Sequence, residues 1–272
     1  RPQGGAVAIL AQAILAQAIQ GQGPLEGPSE ASSSACGAAR PARCTMLEAR
    51  WPAIFALGTV LVMLFLDVER GDQFPPVLDL SGAQALRVLI SPWFLATAGP
   101  VVVGLVWLEG FAQRAALAPR EHGSMVWWLV NAFWFHIGCD VLSGLFQVMP
   151  ALTELYAKMT PAHNLQRWTG KRIYLDCVYS LEALLEAPCC LWVLWLFWRR
   201  DPARYMVETL VAAVQLAGTV AYYVPVLGTG EPAACWISFL DRSCGAVWII
   251  FPVILIHRNV TALQKPATPK SD

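Results

Sequence analysis

The chain is 272 residues long, 56% of them hydrophobic and 14% charged, with a formal net charge of zero, and its mean hydropathy is +0.49. That balance lies outside the range of a soluble domain and makes a bilayer the natural solvent. Nineteen basic and 19 acidic residues cancel, so there is no broad electropositive face for nucleic acid, and that class of partner is set aside.

Residues 1–45 are rich in Ala, Gln, Gly, Pro and Ser and carry the near-repeat AILAQAILAQAIQ. They read as a low-complexity, disordered extension upstream of Met46. Residues 51–66, WPAIFALGTVLVMLFL, are uncharged but shorter than the roughly 20 residues that cross hydrocarbon. The segment 46–87 is therefore expected to hold a marginal span or signal anchor followed by a loop.

Longer apolar runs follow at about Val88 to Leu108, Met125 to Met149, Ile173 to Trp198, Tyr205 to Leu227 and Ala234 to Ile256. They predict an all-α, polytopic membrane bundle of five transmembrane helices over residues 88–257, or six with the marginal segment. Arg114, Arg120, Arg199, Arg200, Arg204, Arg258, Lys265 and Lys270 fall on the side of the C-terminal tail, against Lys158, Arg167, Lys171 and Arg172 on the other. The positive-inside rule then makes the tail, residues 258–272, cytosolic. On that topology the sequon at Asn259 faces the cytosol and stays unmodified.

Of the eight cysteines, Cys139, Cys177, Cys189, Cys190, Cys235 and Cys244 lie in apolar runs and read as reduced packing residues. No Cys-x-x-Cys or His-rich motif supplies a tetrahedral metal set, so no metal is expected. Trp127, Trp128, Trp192, Trp195 and Trp198 are expected at the membrane interface or against lipid.

The polar residues inside the apolar runs are the informative ones. At α-helical spacing His136, Asp140, Ser143 and Gln147 form one stripe. The next run sets out Asp176, Tyr179, Glu182 and Glu186, with Glu182 and Glu186 four apart, close enough to repel and keep one of them protonated. Gln215, Thr219 and Tyr222 share a face of the following run, and Asp241, Cys244 and Trp248 a face of the last. Ionisable groups at mid-membrane cost on the order of 3 kcal/mol unless they find a partner or a cavity. His136, Asp140 and Glu182 are therefore candidate functional residues lining an enclosed pocket. Ser143, Thr219 and Cys244 read as interhelical hydrogen-bonding groups; Asp176 is expected at the interface and Glu208 within reach of water.

In order and spacing, these residues resemble the EXPERA-domain family of membrane proteins. The succession is His136-x-x-x-Asp140, Tyr156-Ala157-Lys158, Glu182, Gln215-x-x-Gly218-x-x-x-Tyr222 and Trp248-x-x-x-Pro252. Where the family pattern has a glutamate, two threonines and an asparagine, this chain has Asp140, Ala183, Leu185 and Gly245. The resemblance implies a sterol isomerase that shifts a ring double bond, of the cholestenol delta-8 to delta-7 type. Glu182 would be the proton donor, and His136 with Asp140 the accepting and relaying pair. Trp248, Tyr222, Gln215, Glu186 and Asp241 would contact the substrate, with Trp248 offering its π face to a carbocation.

The alternative the family offers is a non-catalytic sterol-binding or trafficking protein of the sigma-2 receptor type, suggested by the Glu182 to Pro188 stretch. A transporter is a third reading, weakened by the lack of an inverted repeat. The isomerase reading calls for no cofactor. Its partners are a sterol drawn from the bilayer and the membrane lipids; a homodimer stays open, and the endoplasmic reticulum is the expected membrane.

Overall fold

Residues 42–65, 82–159, 161–229 and 235–264 are described by a computed structural model. The low-complexity extension expected over residues 1–45 lies outside them up to residue 41, and the side chains of Asp241 and Cys244 lie outside them too. The described residues are helical without a strand: α1 (Ala42–Phe65), α2 (Ala83–Leu89), α3 (Pro92–Arg114), α4 (Pro119–Leu145), α5 (Pro150–Met159), α6 (Ile173–Arg199), α7 (Arg204–Thr229) and α8 (Cys235–Leu263). Two short 3-10 turns, Pro161–Asn164 and Gly170–Arg172, connect α5 to α6. Five helical stretches, Pro92–Arg114, Pro119–Leu145, Ile173–Arg199, Arg204–Tyr223 and Gly245–Leu263, are long and apolar enough to cross a bilayer.

Proline and left-handed residues set the boundaries that apolar runs alone place a turn or so off. Pro92 opens α3 at a position whose missing N–H would have had no helical partner, so Val88 and Leu89 belong to α2 rather than to the first span. Pro119 opens α4 ahead of Arg120, Glu121 and His122, a charged turn that hydropathy leaves outside the membrane run. Gln147, at φ 58°, ends α4, and Arg200, at φ 53°, ends α6.

α4 is the central helix: 78% of its most apolar stretch is buried, against 17–33% in the other four spans. Residues 125–130 are buried on every side, as expected of a helix surrounded by others. α1 packs on the bundle through Trp51 and residues beyond it. Trp51 lies 5.4 Å from Trp127 and 4.5 Å from Phe251, while Phe55 lies 5.6 Å from both Phe135 and Trp248. The segment expected to be marginal is thus part of the core, although its apolar described stretch, Arg50–Leu61, remains shorter than a span.

Two buried polar clusters tie the helices together. Glu208 on α7 accepts hydrogen bonds from Trp128 Nε1 (2.9 Å), Arg258 (2.7 Å) and Asn259 Nδ2 (2.8 Å), and Arg258 also reaches Ser124 (2.8 Å). This corrects two expectations. Glu208 is fully buried instead of reaching water, and Trp127 and Trp128 are core residues, because Glu208 supplies Trp128 with the acceptor that a buried indole requires. Trp192, Trp195 and Trp198 are exposed, as expected of lipid-facing residues. In the second cluster Asp176 is buried against Arg172 (2.8 Å), and it also accepts from the Trp168 N–H (2.6 Å). The remaining Arg172 donors go to the carbonyls of His163 and Gly144. Cys139 and Cys190 are buried thiols and Cys189 is half-buried, while Cys177 is exposed rather than packed.

Candidate active site

A cavity of about 420 Å³ opens among α1, α4, α5, α6, α7 and α8, within the range of small-molecule sites. Its wall includes Phe55 and Thr59 of α1, Phe135, His136, Cys139 and Asp140 of α4, and Tyr156 of α5. Tyr179, Glu182 and Glu186 come from α6, Gln215, Thr219, Tyr222 and Tyr223 from α7, and Gly245 and Trp248 from α8.

The local winding of α4 decides which polar residues face this space. Asn131–Leu145 is π-helical, with hydrogen bonds to the fifth residue back; Ser143 Oγ donates to Gly138 O and Phe146 N to Val141 O. At about 4.4 residues per turn, roughly 82° each, His136 and Asp140 remain nearly aligned while Ser143 swings to about 210°. Ser143 is accordingly buried away from the cavity. Gln147, beyond the helix, donates to His163 O at 2.8 Å. The stripe of four read at α-helical spacing is therefore a pair. A second π turn, Glu182–Glu186, widens α6 at the level of His136 and brings both of its glutamates to the imidazole.

His136 is 2% exposed and meets three carboxyls. Its Nδ1 is 2.5 Å from Glu182 Oε2 and 3.6 Å from Asp140 Oδ2, and its Nε2 is 3.6 Å from Glu186 Oε2. Neither ring nitrogen makes a hydrogen bond of regular angle, so charge at close range joins the four groups. Tyr156 donates to Asp140 Oδ1 at 3.0 Å. Burial, reinforced by the Asp140 carboxyl, pushes the Tyr156 phenol well above its ordinary value and keeps it a donor.

His136, Glu182 and Glu186 also offer ligand atoms within 4.8 Å of one another, a set able to approach a metal ion that no sequence motif announces. As arranged, however, Nδ1 and Oε2 at 2.5 Å are closer than two ligands on a tetrahedral zinc ion, which sit about 3.3 Å apart. The spacing fits a shared proton better than a shared cation.

Gln215 donates to Asn131 Oδ1 at 2.8 Å and leaves its Oε1 in the cavity wall without a hydrogen bond. Trp248 meets Phe135 edge-on at 4.6 Å, forming an aromatic side of the chamber with Phe55. The structure thus brings His136, Asp140, Glu182, Glu186, Gln215, Tyr222 and Trp248 to one space. Thr219 joins them, although its hydroxyl also donates to Gln215 O. Sequence reasoning missed Phe55, Thr59 and Tyr223, and placed Tyr179 in a polar stripe without a role. Glycines admit two of the wall side chains: a Cβ at Gly218 would stand 2.9 Å from Glu186 Oε1, and one at Gly245 would fall on the phenol of Tyr223.

Residues 145–259 match the sequence model described as EXPERA (EXPanded EBP superfamily); His136 and Asp140 lie just ahead of the matched segment. The chain is similar to "3-beta-hydroxysteroid-Delta(8),Delta(7)-isomerase" of Rattus norvegicus, 25% identical over 180 residues, or 60% of this chain and 74% of the relative. The protein of that name from Cavia porcellus is 23% identical over 190 residues, covering 63% of this chain and 80% of the relative. That of Mus musculus is 25% identical over 180 residues, covering 60% and 74%.

Proposed function

We propose that this chain, whose residues 145–259 match the EXPERA model, is a membrane-embedded isomerase of 3β-hydroxysterols that moves a ring double bond from the delta-8 to the delta-7 position. The observation that carries the reading is the contact of His136 with Glu182, flanked by Asp140 and Glu186, on a chamber with an aromatic side.

Glu182, in its protonated form, gives a proton to one alkene carbon. The π electrons become the new C–H bond, and the neighbouring ring carbon is left positive. Trp248 faces that charge with its ring, and the carboxylates add electrostatic attraction that a dry chamber strengthens. His136 then takes a proton from the adjacent ring carbon, whose C–H electrons form the displaced double bond. Asp140 and Glu186 hold the imidazolium meanwhile. Acid and base touch at 2.5 Å, so the proton passes back from His136 to Glu182, where it exchanges with solvent after the product leaves and before the next sterol enters, and the cycle closes with no net change. Excluding bulk water prevents capture of the cation as an alcohol.

The test is conversion of a delta-8 sterol by membranes containing the protein in deuterium oxide. The expected result is the delta-7 isomer carrying one ring deuterium, abolished in His136→Ala and Glu182→Gln. Well-expressed wild type that binds the sterol and leaves it unchanged would overturn the enzyme. We also infer a cytosolic C-terminus from the Lys and Arg distribution and residence in the endoplasmic reticulum, both open to epitope-accessibility and co-localisation measurements.

A further inference from the structure

The isomerase cycle uses the imidazole, the carboxyls and the indole. It leaves unused a second polar group in the same wall. Tyr179, 1% exposed, has its hydroxyl 2.7 Å from Nε2 of His163, itself 2% exposed. Tyr222 packs against Tyr179, its hydroxyl within interaction range of the Tyr179 phenol, and both phenols line the cavity. A buried histidine joined to a buried tyrosine is costly to assemble away from water, and the fold fixes both partners. The Tyr179 ring lies on the backbone of Gly144, where a Cβ would come within 2.7 Å of it. His163 is held through its carbonyl, which accepts from Arg172 at 2.9 Å and Gln147 at 2.8 Å.

This group occupies a different part of the wall from the aromatic side. Phe135 belongs to the main apolar core, with Phe55 and Trp248 packed on it; Tyr179 belongs to a separate cluster with Leu145 and Leu175. The chamber is therefore uneven, aromatic where Phe55, Phe135 and Trp248 meet and lined by a linked pair of buried polar rings beside Tyr179. Each phenol oxygen has one donor and two acceptor sites, and the imidazole donates or accepts according to tautomer. Phenols in series can thus engage one another and a ligand hydroxyl whichever way it points. A sterol is apolar except for one ring hydroxyl, which burial leaves in need of a partner.

We propose that the His163, Tyr179 and Tyr222 chain is the recognition subsite for the ring hydroxyl of the sterol, setting which way round it lies in the chamber. This rests on the sterol reading above, though not on turnover. Tyr179 and Tyr222 select the 3β-hydroxysterol over analogues lacking the group, and His163 is a positioning residue that orients Tyr179.

The test is equilibrium binding in nanodiscs, with protein-free discs subtracted, of a delta-8 3β-hydroxysterol and its 3-deoxy counterpart. An unpaired buried hydroxyl or its missing partner costs on the order of 1–3 kcal/mol, so wild type is expected to prefer the hydroxysterol by about 10- to 100-fold. Tyr179→Phe is expected to bring the ratio near one while binding the 3-deoxy sterol as wild type does, which also shows that it is folded. Should that variant not fold, Tyr222→Phe reads the same chain from the cavity side. Ser143→Ala, outside the cavity, is expected to keep the wild-type ratio. Equal affinities in wild type, or a preference that survives both phenol substitutions, overturn the subsite. A wild type that discriminates the hydroxyl but never moves the double bond overturns the isomerase and leaves the subsite standing.

Discussion

His136 Nδ1 and Glu182 Oε2 stand 2.5 Å apart, a base and an acid from neighbouring helices close enough to exchange a proton directly. Groups that act as a unit lose their effect together. His136→Ala and Glu182→Gln are each expected to slow delta-8 to delta-7 conversion by about 10²- to 10⁴-fold. The double substitution is expected to be little worse than either alone. Multiplying losses, measured as initial rates in membranes, would mean that the two do not work as one proton-exchanging pair.

Asp140 receives the Tyr156 hydroxyl from α5 at 3.0 Å. Tyr156→Phe removes the donor without vacating ring volume, and turnover is expected to fall about tenfold while sterol affinity holds. Because the phenol is held well above its ordinary value, it stays protonated across the working range. The deficit is therefore expected to be the same at about pH 6 and about pH 9. A deficit confined to one end of the pH–rate profile would contradict this assignment.

At 2.5 Å from Glu182 Oε2, His136 Nδ1 stands too close for both atoms to ligate one tetrahedral zinc ion. Turnover is expected to survive dialysis against EDTA unchanged, and metal analysis of the purified protein to find less than one ion per chain. Stoichiometric zinc, with loss of activity on its removal, would replace the proton-transfer reading by a metal-based one.

Gly245 leaves the space that the Tyr223 phenol occupies. Gly245→Ala is expected to cost about 1–3 kcal/mol by overpacking and to weaken sterol binding as Tyr223 is displaced. Adding Tyr223→Leu is expected to restore thermal stability. If Gly245→Ala melts at the wild-type temperature, the close approach is not rigid.

Glu208 gathers Trp128, Arg258 and Asn259 in a buried network. Glu208→Ala strands the Arg258 charge and is expected to destabilise the bundle by about 3–5 kcal/mol, read as a fall in melting temperature in detergent. A fall no larger than that of an exposed control such as Met206→Ala would mean that the network is dispensable.

The fold was legible because five stretches carry enough uninterrupted apolar residues to cross a bilayer, a property that tertiary packing does not disturb. α1 was harder to place. Its apolar run is short, and only the approach of Trp51 and Phe55 to Trp127 and Trp248 reveals it as part of the chamber. His136, Asp140 and Glu182 announced themselves as ionisable groups in hydrocarbon. Tyr179 was read only as one member of a stripe, because its partner His163 comes from a connecting turn that periodicity does not index. The burial of Trp127 and Trp128 was hidden for a similar reason: the acceptor for Trp128 lies 80 residues away. At the sequon, Asn259 is fully buried with its amide nitrogen given to Glu208. Its unmodified state would follow from packing on either side of the membrane, so a glycan test there says little about orientation.

The wide winding of α4 over Asn131–Leu145 makes the pairing of His136 with Asp140 a matter of counting as much as of chemistry. Remove one residue between them, and the imidazole and the carboxyl turn apart by about 80°, although neither has changed. Two chains with the same acids and bases in the same order would then differ in competence through a single deleted peptide unit.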